Sequence, residues 1–225
     1  MSEIKQRLFK IKSQIRHAEY VAGRSKGDVQ LLAVSKTKPV LDIVGAYQAG
    51  QRIFGESYLQ EALQKQQALS AYDITWHFIG PIQSNKTKAI AQHFSWVHSV
   101  DRLKIAKRLS EQRPEHLPKL NICLQVNISQ EETKSGVTLE ELPALIDEVS
   151  RLSNICLRGV MAIPQAEIDF EQQCLPYRAL YQAIKKLNVE SLDTFSFGMS
   201  GDLKAAIKEG STMVRVGTAL FGKRQ

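Results

Sequence analysis

The sequence predicts an α/β fold, a single (β/α)8 TIM barrel with one extra helix before its first strand. Eight short apolar runs alternate with amphipathic stretches along the 225 residues, and such alternation is typical of a parallel sheet. Eight strands with helices between them favour a closed barrel, for which this length is near the lower end. A doubly wound open sheet is the alternative. Its first strand is more often followed by a glycine-rich phosphate loop, whereas the turn SKTKP at 35–39 contains no glycine.

The predicted elements follow one another without a break. A first helix at about 3–22 carries charges throughout, so it lacks the apolar segment of a secretory signal. Apolar runs predict strands at 30–35, 52–55, 74–79, 95–99, 120–128, 155–163, 193–197 and 212–216. The stretches between them predict helices at 40–49, 57–70, 84–93, 101–113, 138–151, 170–188 and 201–209. Neither a linker nor a change in composition divides the chain, so residues 1–225 are predicted to form one domain.

Composition narrows the classes of partner. The net charge of +7 permits an anionic partner, but the basic residues are spread along the chain with few aromatic residues among them. This pattern indicates solvated helix faces rather than a nucleic-acid surface, and it also suits a small phosphorylated ligand. No apolar run approaches the length of a membrane span. Three cysteines without a CxxC pair indicate reduced thiols in the cytoplasm, with neither a disulfide framework nor a zinc site.

Polar and charged residues collect where the predicted strands end. Catalytic and binding residues of (β/α)8 barrels lie at this end of the strands. Each residue alone has an ordinary structural explanation, and His93 and His98 are expected to be surface or core residues rather than metal ligands. Together the junctions describe one face. They contain Lys36, Glu56, Ser57, His77, Gly80, Pro81, Ser99, Asn127, Met161, Met199, Ser200, Arg215, Gly217 and Thr218.

The last two junctions predict a phosphate site. Ser200 in FGMSGDLKAAI is a plausible helix N-cap, and Gly217 and Thr218 come directly after the eighth strand. Backbone N–H groups at a helix start, with a glycine that allows close approach, form an anion cradle. Loops after strands 7 and 8 are the usual phosphate sites of this fold. A cap and a tight turn would explain either segment separately, but their joint occurrence favours a phosphate.

Lys36 in LLAVSKTKP leaves a buried strand just before Pro39. Its ammonium must reach water or lose its charge by burial or by bonding. A lysine opposite a phosphate site suggests pyridoxal 5'-phosphate as cofactor, with Lys36 forming the Schiff base.

The chain also resembles a known family. The segments AVSKTKP, RIFGESYLQEA, WHFIGPIQSNK, VNISQEETKSG, LRGVMAIP, FSFGMSGDLKAAI and MVRVGTALFG occur in its order and spacing, over residues 5–222. They resemble the YggS/PROSC family of pyridoxal phosphate homeostasis proteins, which look like the N-terminal barrel domain of alanine racemase, a fold-type III pyridoxal phosphate fold.

The resemblance implies the roles of eight residues in cofactor binding. It implies that Lys36 holds the cofactor as an internal aldimine and that Arg215 faces the pyridine nitrogen. Ser57 stands in FGES where the family usually has asparagine, so a contact to the ring substituent is expected to be lost or bridged by water. The phosphate would be bound by Ser200, Gly217 and Thr218, and the ring pocket would be lined by Met161 and His77.

The expected function is cofactor binding and supply rather than turnover. An arginine at the pyridine nitrogen only donates, which keeps that nitrogen unprotonated and the ring a weak electron sink. Racemisation also needs a base on the opposite face, and none of the six tyrosines is placed there by the sequence. The expectation is a monomeric, cytoplasmic homeostasis protein that passes the cofactor to apo-enzymes, with Lys134 as a candidate transfer residue. The alternatives are a fold-type III racemase, a Schiff-base aldolase and, last, a nucleic-acid role.

Overall fold

The structure, a computed structural model, describes residues 3–129 and 135–223. Its centre is a closed barrel of parallel strands, hydrogen-bonded in the order β1 to β8 and back to β1. The predicted (β/α)8 barrel is confirmed. The strands are β1 (Gln30–Val34), β2 (Ile53–Glu56), β3 (Thr75–Phe78), β4 (Trp96–Val100), β5 (Leu120–Val126), β6 (Ile155–Ala162), β7 (Thr194–Ser196) and β8 (Met213–Val216).

Helices surround the barrel. The extra helix α1 packs the face that carries Leu8, Ile11 and Ile15 against α2, α8 and α9. The short α9 after β8 was not predicted from the sequence. The helices are α1 (Glu3–Val21), α2 (Val40–Gln48), α3 (Leu59–Ala68), α4 (Thr87–His93), which follows a 3₁₀ turn (Ser84–Lys86), α5 (Leu103–Glu111), α6 (Leu142–Ser150), α7 (Phe170–Lys186), α8 (Leu203–Lys208) and α9 (Thr218–Phe221).

Packing inside the barrel depends on apolar strand residues and one close backbone approach. Leu32 and Ala33 of β1 and Phe54 of β2 have no exposed surface, although consecutive strand residues point to opposite faces, so both faces of the sheet are covered here. Strand β6 passes so close to β7 that a Cβ atom on Gly159 would lie 1.8 Å from the carbonyl oxygen of Thr194. Only glycine permits this contact.

The parallel strands define two ends of the barrel. We call the carboxyl ends of the strands the mouth and their amino ends the base. Within the described ranges, no helix is long and apolar enough to cross a membrane. Cys123 and Cys174 are buried, and all three cysteines are free thiols.

Candidate functional site

Lys36 lies at the mouth, two residues after the end of β1. Its side chain is half-buried, and the next residue, Thr37, has a φ of 62° in the left-handed region. The N–H of Thr37 donates to Oε1 of Glu61 at 2.6 Å, and the N–H of Lys38 donates to the carbonyl of Ser35 at 3.0 Å. The carboxylate thus compensates for a backbone conformation that a β-branched residue rarely adopts.

A buried cluster of charged residues fixes the turn that contains Lys36. We call Ser35, Glu56, Glu61 and Lys65 the Lys65 network. Nζ of Lys65 donates to Oε1 of Glu56 at 2.8 Å, Oε1 of Glu61 at 2.6 Å and the carbonyl of Ser35 at 2.7 Å. The Ser35 hydroxyl also donates to Oε1 of Glu56, at 2.7 Å. Two elements that flank the mouth, β1 and α3, are therefore joined through one ammonium group.

Glu56 is fully buried in this network. Burial raises the pKa of the Glu56 carboxyl, and the nearby Lys65 ammonium opposes that shift. Its second oxygen, Oε2, has no hydrogen-bond partner among the described residues. Glu56 is the last residue of β2, one residue beyond the predicted strand end, and α3 begins at Leu59 rather than at the predicted residue 57.

A cavity of about 420 Å³ opens at the mouth beside Lys36. This volume is within the range of small-molecule sites. Two further predicted site residues, Ser57 and Met161, line it together with residues that follow β2 to β6. We call it the mouth cavity, and its polar lining includes Tyr58, Ser99, Asp101 and Asn127.

Arg215 lies on β8, one residue before the strand ends at the mouth. It is buried, and its guanidinium donates to the carbonyl of Ser196, to Oγ of Ser196 at 2.8 Å and to the carbonyl of Ala162 at 3.0 Å. Ala162, one of these acceptors, directly follows Met161, which lines the mouth cavity. No carboxylate forms an ion pair with Arg215 in the described part of the chain. Burial lowers the pKa of the guanidinium.

Hydrogen bonds continue from Arg215 into the interior. We call Arg215, Ser196, His98 and His77 the Arg215 chain. Oγ of Ser196 lies 2.9 Å from Nδ1 of His98, and Nε2 of His98 lies 2.8 Å from Nδ1 of His77. Burial lowers the pKa of both imidazoles, to about 3 for His98, where the Arg215 charge adds to the effect. Both histidines are therefore neutral at pH 7.

The direction of these hydrogen bonds follows from Arg215. A guanidinium only donates, so Oγ of Ser196 accepts from it and its own proton goes to Nδ1 of His98. His98 then donates from Nε2 to His77. The remaining proton lies on Nε2 of His77, which has no partner among the described residues. This arrangement leaves one unsatisfied polar atom, and the reversed one would leave two.

The predicted phosphate residues lie at the neighbouring strand ends. Ser200 and Thr218 are exposed, and Gly217 is half-buried beside β1, where an added Cβ would lie 3.2 Å from the carbonyl oxygen of Val34. The prediction of Ser200 as an N-cap was wrong, because α8 begins at Leu203 with Asp202 as its N-cap. Ser200 instead lies in the preceding turn.

Asp202 fixes the turn that contains Ser200. Its Oδ1 accepts from the N–H of Met199 at 2.6 Å, and its Oδ2 accepts from the Tyr177 hydroxyl at 2.7 Å. Gly198 before the turn has a φ of 84°, and a Cβ there would lie 2.5 Å from Cβ of Ala206. The turn that carries the Ser200 hydroxyl is thus fixed by contacts of the neighbouring residues Gly198, Met199 and Asp202.

The eight predicted residues do not all meet in one cavity. Three of them, Lys36, Ser57 and Met161, line the mouth cavity. Ser200, Gly217 and Thr218 lie at the adjoining ends of β7 and β8. Arg215 lies beneath, and His77 lies deeper still, stacked on Trp96 with ring centroids 5.2 Å apart. His77 therefore does not line the mouth cavity as predicted, because it precedes the end of β3 and its side chain points inward to His98. Lys134 lies outside the described residues.

Sequence reasoning missed several supporting residues. Glu61 and Lys65 were not singled out from the sequence, although their i,i+4 spacing was a visible sign of an ion pair. His98 was expected to be a surface or core residue, and it is a fully buried one. Nothing in the local sequence indicated that Ser196 would join His98 to Arg215. Among the described residues, no group of three or more His, Cys, Asp or Glu side chains could hold a metal ion.

Comparison with known proteins defines the class first. The sequence profile described as alanine racemase, N-terminal domain, matches residues 8–225. The alanine racemase of Corynebacterium glutamicum superposes with a TM-score of 0.65 at 18% identity, over 95% of this chain and 60% of the racemase chain. The fold is therefore that of the alanine racemase N-terminal barrel.

Relatives of similar length define the family. A pyridoxal phosphate homeostasis protein of Pseudomonas aeruginosa is 57% identical over 224 residues, which cover 100% of this chain and 97% of the relative. The protein of that name from Escherichia coli K12 is 48% identical over 229 residues, covering 100% and 98%. PipY of Synechococcus elongatus, solved with pyridoxal phosphate bound, has a TM-score of 0.84 at 37% identity, over 98% of this chain and 100% of PipY. The chain belongs to the family of pyridoxal phosphate homeostasis proteins.

Proposed function

We propose that this protein binds pyridoxal 5'-phosphate at the mouth of the barrel and acts in the homeostasis and supply of that cofactor in the cytoplasm. The observation that carries the proposal is the pair of cations at the mouth. Lys36 lines the mouth cavity, and Arg215 is buried one residue before the end of β8, without a carboxylate partner in the described ranges. A buried cation without a counter-charge is costly, so it marks a place for an electron-rich ligand atom.

The donors at the mouth fit the cofactor's parts. Lys36 is the amine that holds the aldehyde carbon. The hydroxyls of Ser200 and Thr218 and the close backbone at Gly217 receive the phosphate at the ends of β7 and β8. Met161 and Ser57 line the same cavity and would face the ring and its substituent. His77 would act only through its hydrogen bond to His98 in the Arg215 chain.

Arg215 determines what the bound cofactor can do. Pyridoxal phosphate supplies a reactive aldehyde and a ring that withdraws electrons. At the ring nitrogen Arg215 would only donate a hydrogen bond, because it has no proton-accepting form, so that nitrogen would remain unprotonated. The Arg215 chain keeps the guanidinium in place with two neutral imidazoles behind it. The ring is then a weak electron sink, which suits storage and transfer to apo-enzymes by a monomeric carrier better than turnover.

The attachment point is tested by absorption spectroscopy with borohydride. Wild-type protein mixed with pyridoxal phosphate should show a visible band that borohydride abolishes, with the added mass on the peptide containing Lys36. Lys36→Ala should show neither. Lys38→Ala is the matched control, since Lys38 lies two residues away and its Nζ donates to the carbonyl of Lys223 at 2.7 Å. A reduced adduct that persists in Lys36→Ala would refute the assignment.

Tyr58 gives the racemase alternative one point of support, because it lines the mouth cavity and is 52% exposed. A tyrosine there could act as the second base. The loaded protein should nevertheless exchange the α-proton of alanine with deuterated solvent no faster than free cofactor does. Fast exchange that is lost in Tyr58→Phe would replace the carrier function by a racemase.

A further inference from the structure

A second cavity lies at the base, at the opposite end of the barrel from Lys36. It has a volume of about 430 Å³ and is enclosed by α1, the loop before β1 and the turn that leads into β2. Gln30, the first residue of β1, lines it, whereas Lys36 lies beyond the other end of the strand. Five strand residues, or about 17 Å at ~3.3 Å per residue, separate the two sites. We call it the basal cavity.

The basal cavity is lined by an excess of positive charge. Lys12, Arg16, Lys26 and Arg52 contribute cations, and Glu19 contributes the one carboxylate among the lining residues. That carboxylate is turned inward. Glu19 is 1% exposed and accepts from the N–H of Val29 at 2.8 Å and the N–H of Gly27 at 3.2 Å.

The four cations have no ion-pair partner in residues 3–129 and 135–223. Arg52 donates to the carbonyl of Tyr47 at 2.7 Å and lies over its ring at 3.8 Å, contacts that fix the guanidinium without neutralising it. Some cations elsewhere in the described residues do form ion pairs. Arg151 binds Asp147 at 2.6 Å and Arg178 binds Glu209 at 2.7 Å. Four cations without an ion pair in the described ranges thus line one concavity.

This concentration of like charge has an unfavourable effect on the protein itself. Burial lowers the pKa of the Lys12 ammonium, and the positive charges of Arg16 and Arg52 lower it further. A lysine on an ordinary solvated helix face has carboxylates nearby and no such opposition. An anion in the cavity would relieve the repulsion among all three groups.

We propose that the basal cavity binds a small phosphorylated anion with at least two negative charges, held by Lys12, Arg16 and Arg52. Guanidinium groups bind phosphate oxygens in pairs, and a flexible lysine adds a point charge. The concave shape favours a small ligand over a nucleic acid, because no aromatic residue on which a base could stack is among the described residues that line the cavity. The proposal does not depend on the function of the mouth.

Titration calorimetry with inorganic pyrophosphate at 150 mM salt tests the proposal. Lys12→Gln and Arg16→Gln should each weaken binding at least tenfold, and both leave the Arg52–Tyr47 contact intact. Lys10→Gln is the matched control, because Lys10 is exposed on the same helix and does not line the cavity. It should bind within twofold of the wild type, as should Ser200→Ala/Thr218→Ala at the mouth.

Each contrary outcome would overturn the proposal in a recognisable way. Equal losses in Lys10→Gln would indicate general charge attraction, and a loss in the Ser200→Ala/Thr218→Ala variant alone would move the site to the mouth. Succinate bound as tightly as pyrophosphate would exclude a preference for phosphate. Tighter binding of a short RNA, with a steep dependence on salt, would indicate a nucleic-acid surface instead.

Discussion

Two clusters of buried polar residues lie near the mouth, and they differ in whether a carboxylate neutralises the cation. The Lys65 network pairs one cation with two carboxylates and fixes backbone, since it holds the carbonyl of Ser35 and the N–H of Thr37 on either side of Lys36. The Arg215 chain has one cation and no carboxylate, and it fixes a side chain through carbonyls, a hydroxyl and two neutral imidazoles.

The difference indicates how each cation is used. Lys65 is fully engaged with protein groups, so it is a structural ion and is not available to a ligand. Arg215 donates only to carbonyls and a hydroxyl and forms no ion pair in the described ranges, so its guanidinium is available to a ligand. A buried charge that the protein neutralises serves the fold, whereas one that the protein leaves unneutralised serves the site. Three experiments on the protein alone test this distinction.

The largest effect is expected from breaking the Lys65 network. Lys65→Met leaves two carboxylates without their counter-ion, one of them fully buried, and removing one partner of a buried ion pair costs about 3–5 kcal/mol. Urea unfolding at pH 7.5 measures the loss. Lys107→Met, at an exposed position of α5, is the control and should change the free energy of unfolding by less than about 0.5 kcal/mol.

A double variant shows whether the loss comes from the orphaned charge. Lys65→Met/Glu56→Gln removes the buried negative charge as well, and it should be more stable than Lys65→Met alone. If the double variant is no more stable, the Lys65 network acts through packing, and the comparison with the Arg215 chain no longer holds.

Acid should affect the two groups in opposite directions. For His98 the folded pKa of about 3 lies below the ordinary value of 6.5, so its stabilising contribution is present above pH 6.5 and is lost as the pH falls towards 3. Between pH 6.5 and pH 5 this amounts to about 2 kcal/mol. For Glu56 the folded pKa is raised, so its contribution is greatest at low pH and is lost as the pH rises.

Urea unfolding at pH 6.5 and pH 5 separates these contributions. His98→Asn should reduce the acid-induced loss of stability, and Glu56→Gln should increase it. The control is His116→Gln, because His116 is exposed and has no part in either group. An acid-induced loss that is the same in His98→Asn and the wild type would show that the Arg215 chain is not what sets the pH dependence.

The sequence predicted the residues at the mouth better than the buried residues that hold them in place. The alternation of apolar runs with amphipathic stretches, together with the length of the chain, was sufficient to predict the barrel. The predicted strand ends then pointed to Lys36 and Arg215 as site residues. Lys65 was not predicted, because its burial depends on α3 packing over β1 and β2. His77 was assigned to the ring pocket mainly through the family resemblance, and no local signal separates a strand's last inward residue from its first exposed one.

The smallest effect is expected at the third support of the mouth, the turn held by Asp202. Burial and the Asp202 carboxylate raise the pKa of Tyr177, so its hydroxyl stays protonated and donates to Asp202 throughout the accessible pH range. Tyr177→Phe should lower the free energy of unfolding by about 1.5 kcal/mol, as for one hydrogen bond to a charged acceptor. Tyr20→Phe, at a position 81% exposed, should have no effect. Because this bond joins a neutral donor to an anion, its loss leaves one carboxylate that Met199 still partly satisfies. A loss as large as that of Lys65→Met would mean that the β7–β8 side also depends on charge neutralisation, and the contrast between the two sides of the mouth would disappear.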